Sequence, residues 1–407
     1  PTEGALPTMP VPGDDPGPDA DPDKAKDLHD AAKPAKHDYF WLDGGWDFSF
    51  VKPERFNTPL VTTGPSTSPT SSPTFHAAGL GQPGTVVLFG DNADFGMFNG
   101  VRLGAGLYLD SDDRLSLEWV GRLNIANHVR FAAASDATGN PIIGRPVFDT
   151  VRVAELAYLD SNPGLFSGGV TVDARSQFFG TEVNARARFG DATGFRADAL
   201  FGFRFMRLTE QLTIRDNLQP LTAGSGLTFE GVGIPLGDVL TDVDSFRTTN
   251  HFYGVQLGGS LGWEGRWLFV NAFGKVALGA TDEEVDINGS TTLFDLTAGA
   301  QSAGGGVLAL PTNIGLHSRT VIGFVPEGGL NVGVKVLPSL NLTAGYSFLY
   351  WNAVVRPGGQ IDRAVNSTQV PSDNTFGTLT GPQRPTFGFH DESFWIHTLT
   401  VGLDFHY

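Results

Sequence analysis

The last fifteen residues, Ser393 to Tyr407, alternate between two kinds of side chain. Trp395, Leu399, Val401, Leu403, Phe405 and Tyr407 take the odd positions, and Thr398, Thr400, Gly402, Asp404 and His406 the even ones. Successive side chains of an extended strand point to opposite faces, so this spacing gives one oily face and one polar face. Earlier segments repeat it. Phe40, Leu42, Trp46, Phe48 and Phe50 alternate with Trp41, Asp43, Asp47 and Ser49. Val101, Leu103, Ala105, Leu107 and Leu109 alternate with Arg102, Gly104 and Gly106, and Leu115, Leu117 and Trp119 with Ser116, Glu118 and Arg122. Phe179 to Phe189 and Phe195 to Phe205 set apolar odd positions against Glu182, Arg186, Arg188, Arg196, Asp198 and Arg204. Further strands are predicted around Tyr253–Trp263, Leu268–Leu278, Phe324–Val336 and Leu340–Tyr350, with Lys275, Glu327 and Lys335 on polar faces.

Ten strands follow, and the lengths of their connections constrain the fold. Connections after the second, fourth, sixth and eighth strands are about two to four residues, whereas the other five run for roughly forty each. Short turns at one end and long loops at the other are expected of a closed antiparallel transmembrane β-barrel, with strands of about 9 to 11 residues. Strands can cross hydrocarbon only if the sheet closes and leaves no unpaired edge. The apolar faces then meet lipid and the charged faces meet inside. A soluble β-sandwich would show comparable loops at both ends. An even strand count puts both termini at the short-turn end, expected to be periplasmic, with the long loops extracellular.

Composition fits an envelope protein. The 407 residues carry a net charge of −17 and no cysteine. That charge repels nucleic-acid phosphates, and there is no basic stripe with interleaved aromatics to reverse it. No apolar run reaches the ~18 residues of a transmembrane helix. The chain opens on Pro-Thr-Glu rather than on a basic and then apolar segment, as expected of a mature or trimmed form if it is exported. Residues 1–38, rich in Pro, Asp, Ala and Lys, are expected to be a disordered periplasmic tail, followed by a barrel over 39–407.

The ending on an aromatic residue resembles the closing strand of bacterial outer-membrane barrels, which the barrel-assembly machinery reads. More specific segments resemble a family of planctomycete outer-membrane barrels designated BBP-seven. They are Thr58–Gly64, Leu80–Gly90, Gly202–Leu212, Asn250–Gly254 and, above all, Gly345-Tyr-Ser-Phe-Leu-Tyr-Trp-Asn-Ala-Val-Val-Arg-Pro-Gly-Gly-Gln-Ile-Asp362. The resemblance covers essentially everything after Tyr39. It implies a fold and a location, and it brings no catalytic motif, cofactor or substrate.

The candidate functional residues are those of the polar faces. Arg102, Glu118, Arg122, Glu182, Arg186, Arg188, Arg196, Asp198, Arg204, Lys275, Glu327, Lys335 and Asp404 are expected to line the lumen, as a selective pathway or as a salt-bridged core. Barrels of eight strands are filled by side chains and wide channels need about sixteen, so ten strands favour a plugged or narrow lumen. Phe40, Trp119, Phe189, Phe195, Trp263, Tyr350, Trp395 and Tyr407 are candidates for aromatic girdles at the two bilayer boundaries. An enzyme would need a constellation such as His251 with Asp242 and Asp244, or His390 with Asp391 and Glu392. No nucleophile motif accompanies either. Asp110–Asp113 and Asp282–Asp286 cluster oxygens but lack the calcium-loop spacing, and read as turn and solvated loop. The expected partners are outer-membrane lipids, the assembly machinery, and neighbouring barrels or surface partners met through the loops.

Overall fold

A computed structural model describes residues 39–66, 76–192 and 194–407. The expected disordered tail, 1–38, lies outside the described residues, as do 67–75 of the first long loop and Thr193 of one short turn. Ten strands form the wall: β1 Phe40–Val51, β2 Met97–Tyr108, β3 Leu115–Asn124, β4 Phe166–Ala192, β5 Phe195–Pro220, β6 Val239–Glu264, β7 Leu268–Asp295, β8 Gly315–Leu337, β9 Leu340–Val355 and β10 Asp391–His406. Each pairs antiparallel with the next. β10 returns to β1, with Trp41 opposite His406 and Val51 opposite Ile396, so the ring closes. The short connections follow β2, β4, β6 and β8, as the sequence predicts.

Facing also follows the alternation. Leu42, Trp46 and Phe50 of β1, Phe201 and Phe203 of β5, Val255, Leu257 and Leu261 of β6, and Leu399, Val401 and Leu403 of β10 are exposed on the outside. Asp47, Ser49, Arg204, Gln256 and Thr398 are buried inside. On β5 the apolar belt spans Phe195 to Phe205, which when tilted covers about 25 Å of hydrocarbon.

The expected strand length fails for β4 to β8. These strands have 27, 26, 26, 28 and 23 residues, far more than a bilayer needs. Much of what reads as roughly forty-residue loops after β5 and β7 is continuous strand, leaving only 221–238 and 296–314 as connections. The cause is an inversion of phase. Beyond Phe205, β5 turns Met206, Leu208, Leu212 and Ile214 inward, all buried, and presents Arg207, Thr209, Gln211 and Arg215 outward. β6 and β7 do the same, burying Phe246 and Phe252 and then Val285 and Ile287. Below the switch the wall is built for lipid outside; above it, for water outside and an apolar core within.

The loops fill that upper head. Val61–Gly64, Val86–Phe89, Ile142–Asp149 and Ala154–Ser161 form a second sheet, with Ala364–Val365 added in parallel. Asn127–Ala134 pairs with the upper half of β4. Val61, Ile143, Val147, Val307, Leu310, Ile361, Val365 and Val370 from all but one of the long loops pack with Phe178, Met206, Phe252, Trp351 and Phe394 of the wall in one buried cluster. Arg145 donates to Asp216 at 2.7 Å and to Asp244 at 2.5 Å. Arg356 forks onto Glu210 with two 2.7 Å bonds while its third nitrogen donates to the carbonyls of Lys52 and Pro53. Each buried guanidinium pins a loop to a wall strand.

Candidate functional site: the barrel interior

All thirteen predicted lumen residues line one cavity of about 910 Å³. It runs from the short-turn end, at Gly194, Gly265, Pro338 and His406, up to Phe178, Met206 and Leu349, where the apolar head core begins. A lattice of ions crosses the barrel at the upper limit of this space. Arg204 of β5 donates to Glu182 of β4 at 2.5 Å and is also bonded to Glu327 of β8. Lys275 of β7 lies 2.6 Å from Glu182 and 3.4 Å from Glu327. Arg122 of β3 contacts Asp47 of β1 at 2.8 Å and reaches Glu327 at 3.9 Å. β3 and β8 stand opposite each other in a ring of ten, so that last contact spans the diameter.

Three cations thus meet three carboxylates, and the lattice is neutral without help from outside. Gln256 donates to Glu182 at 3.2 Å and is bonded to Asn184, whose amide in turn donates to Glu118 at 3.1 Å. Glu118 accepts from Arg186 at 2.8 Å, and Arg186 and Arg188 share Asp198 at 3.4 and 3.6 Å. Asp43 is paired with Arg102, and Lys335 with Glu264. Such a lattice resists opening, because any single ion freed in this low-dielectric space would lose its partner.

Large side chains help to fill the space by lying over glycines. The Trp41 ring covers Gly106 of the next strand, and the Phe269 ring covers Gly333. A Cβ at either glycine would overlap the ring, so these positions admit no side chain while the ring stays. Trp41 also packs on Tyr108, with ring centroids 4.9 Å apart.

The family-model match covers residues 40–407, and its description reads "Putative beta barrel porin-7 (BBP7)". The chain belongs to that family. It is an outer-membrane β-barrel protein, and the polar lattice described above is the lumen of a porin-7 barrel. No curated protein matches the sequence. Among solved structures, the outer membrane protease OmpT of Escherichia coli is similar at 8% identity and a TM-score of 0.41, over 92% of this chain and 99% of that one. A FadL homologue of Pseudomonas aeruginosa (6%, TM-score 0.21, 91% and 90%) and the translocator domain of the autotransporter NalP of Neisseria meningitidis (10%, TM-score 0.19, 95% and 94%) are also similar. Likenesses this low add nothing to what the family match gives.

The other candidates of this porin-7 chain separate in space. His251 lies on the outer face of β6, its ring near those of Phe205 and Tyr253, whereas Asp242 and Asp244 point into the head. Around His390, Asp391 pairs with Arg319 and Glu392 with Lys52, so neither carboxylate engages the imidazole. Asp110 caps its turn by accepting from the Arg114 and Leu115 amides, both at 2.8 Å. Asp282, Glu284 and Asp286 face outward from β7 while Glu283 faces inward to Arg319, and among the described residues no group of three acidic or His side chains is placed to hold a metal. Of the girdle candidates, Phe40 packs on Tyr407 at the turn end (5.5 Å), where Phe189, Phe195 and Trp263 are also exposed. Trp119 donates to Thr181, and Tyr350 stands opposite Trp395, on the loop side of the belt.

Several interior residues escape sequence reasoning. Asp47, Asn184 and Gln256 complete the lattice, and their polar-face positions were the available signal. Arg145, Glu210 and Arg356 lie in segments read as loop; the stretches around Glu210 and Arg356 carry the family resemblance, which marks those segments without giving either residue a role.

Proposed function

We propose that this barrel is a non-enzymatic structural or surface-interaction component of the outer membrane whose lumen is closed to general diffusion. One observation carries this: the lumen is crossed from β3 to β8 by a neutral ion lattice lying directly beneath an apolar core into which the loops insert. The orientation proposed with it puts both termini and the short turns in the periplasm and the head on the cell surface, where loops on a rigid scaffold are available to partners. Recognition of the strand ending at Tyr407 by the assembly machinery belongs to the same proposal. The separation of His251 from Asp242 and Asp244, and the pairing of Asp391 with Arg319 and of Glu392 with Lys52, support the absence of an enzymatic role.

Planar-bilayer recording of the purified protein tests the closed lumen. The expected result is a quiet bilayer, and reproducible conductance steps would overturn the proposal. They would favour a second reading, a narrow pore or transporter for small solutes, to which the cavity of about 910 Å³ lends support. Protease treatment of intact cells tests orientation: cuts confined to the short turns would invert it.

A further inference from the structure

Charge is unevenly spread over the outer face of the head. On Asn127–Ala134, β4, β5 and β6, the outward positions above the belt include Arg130, Arg175, Arg207, Arg215 and Arg247, all exposed, and among the described residues Asp173 is the one carboxylate they share that face with. A chain of net charge −17 thus turns a basic surface outward here, and the sign reverses on β7, where Asp282, Glu284 and Asp286 face out. Two of the arginines stand over lipid-facing rings. Arg207 is the first outward residue beyond Phe205 on β5 and faces Phe179 across the β4–β5 pair, while Arg175 lies four residues beyond Phe179 on β4. The Phe179 and Phe205 rings are 6.1 Å apart. Between the two arginines, Gln177 and Thr209 stand opposite each other on the same surface.

With the rise and tilt of a barrel strand, Arg207 sits about 5 Å and Arg175 about 10 Å above those rings, beside a headgroup layer ~5–8 Å deep. Thr209 accepts from the Arg207 Nε at 3.1 Å, which holds the guanidinium against the wall and leaves its two terminal nitrogens without a protein acceptor among the described residues. Arg175 has no carboxylate partner among the described residues: Asp173, two residues further along β4, stands opposite Arg130 and lies 3.6 Å from His128. Arg247, further up the wall, faces Asp286 across the β6–β7 pair and lies outside the site. Guanidinium forks match the paired oxygens of a phosphate. We propose that the outer face of the β4–β5 pair binds a lipid whose headgroup carries an exposed phosphate, held by Arg207 and Arg175 over Gln177 and Thr209, with its acyl chains against Phe179 and Phe205. A lipid is the occupant because the basic surface continues a wall that already faces hydrocarbon. Only the outer wall takes part, so the site stands for either orientation and for a closed or narrowly open lumen.

Native mass spectrometry of the full chain, released from nonionic detergent micelles doped equally with phosphatidic acid and phosphatidylcholine, tests it. Wild type is expected to retain phosphatidic acid about tenfold over phosphatidylcholine, and Arg175→Gln/Arg207→Gln to lose most of that preference. Arg215→Gln removes a charge from the same face, eight residues beyond Arg207 on β5. It should keep the preference within about twofold, since it lies more than a screening length away. If the glutamine pair fails to fold, Arg175→Lys/Arg207→Lys keeps both charges and removes the forks, and a preference severalfold weaker than wild type is expected. Three results would overturn the proposal: no preference in wild type, a preference unchanged in the glutamine or lysine pair, or an equal loss in Arg215→Gln, which would assign the effect to the field of the whole face.

Discussion

Arg204 is the residue on which most of the interior converges, since it bonds Glu182 and Glu327 from strands that are not neighbours. Removing one member of a buried ion network leaves its partners charged and unpaired, at a cost of about 3–5 kcal/mol. Arg204→Ala is expected to lower the denaturant midpoint accordingly, and adding Glu182→Gln should recover part of the loss. A different residue governs the head. Burial, with Glu210 beside it, pushes the Glu54 carboxyl up to about 8, against the pull of Arg356 and of the Gly358 amide that donates to it. The folded state therefore holds this proton between the ordinary value of 4.5 and about 8, while the unfolded chain has released it. Stability from this group is complete below that window and is lost as pH rises through it. Thermal melts at pH 5, 7 and 9 should show the decline in wild type and a smaller one in Glu54→Gln. Equal slopes would remove Glu54 as the cause.

At the level of elements, each of the long strands β5 to β7 carries one alternation but two meanings. Along β5, odd positions face outward throughout, apolar up to Phe205 and polar from Arg207. Strand identity follows from the period, and environment from the phase, so a reading that looks for oily outward positions stops at Phe205 and takes the remainder for loop. Strand-to-strand fit depends on the glycine positions under large rings. Gly333→Leu should drive the Phe269 ring off its seat and cost about 1–3 kcal/mol, as overpacking does. Combining it with Phe269→Ala should restore most of the stability, measured by the same denaturant titration. A double variant no better than the single one would place the strain elsewhere.

The whole molecule is two closures in series, an ion lattice within the belt and an apolar, loop-filled core above it. Opening either alone should leave the other shut. Replacing residues 357–389 by a short Gly-Ser linker is expected to stay silent in planar bilayers, and so is the triple variant Arg122→Ala/Arg204→Ala/Glu327→Ala. Only their combination should conduct, provided heat-modified migration on gels shows that the barrel remains folded. Conductance from the triple variant alone would show that the head does not seal.

The sequence by itself determined the strand count, the closure, the facing of all thirteen lumen residues and which turns are short. These depend on the two-residue period and on chain connectivity, which are local. Tertiary structure decided how far the wall extends and where the loops go. Glu210 and Arg356 lie 146 residues apart, and Arg145 and Asp244 lie 99 apart. Nothing in the local spacing of these residues announces their pairing; it arises because the upper wall offers an apolar interior that only loop residues can fill. The lattice stands between these cases. Its members were legible one by one from their face, but whether their charges neutralise each other across the lumen depends on which strands the closed ring sets opposite one another.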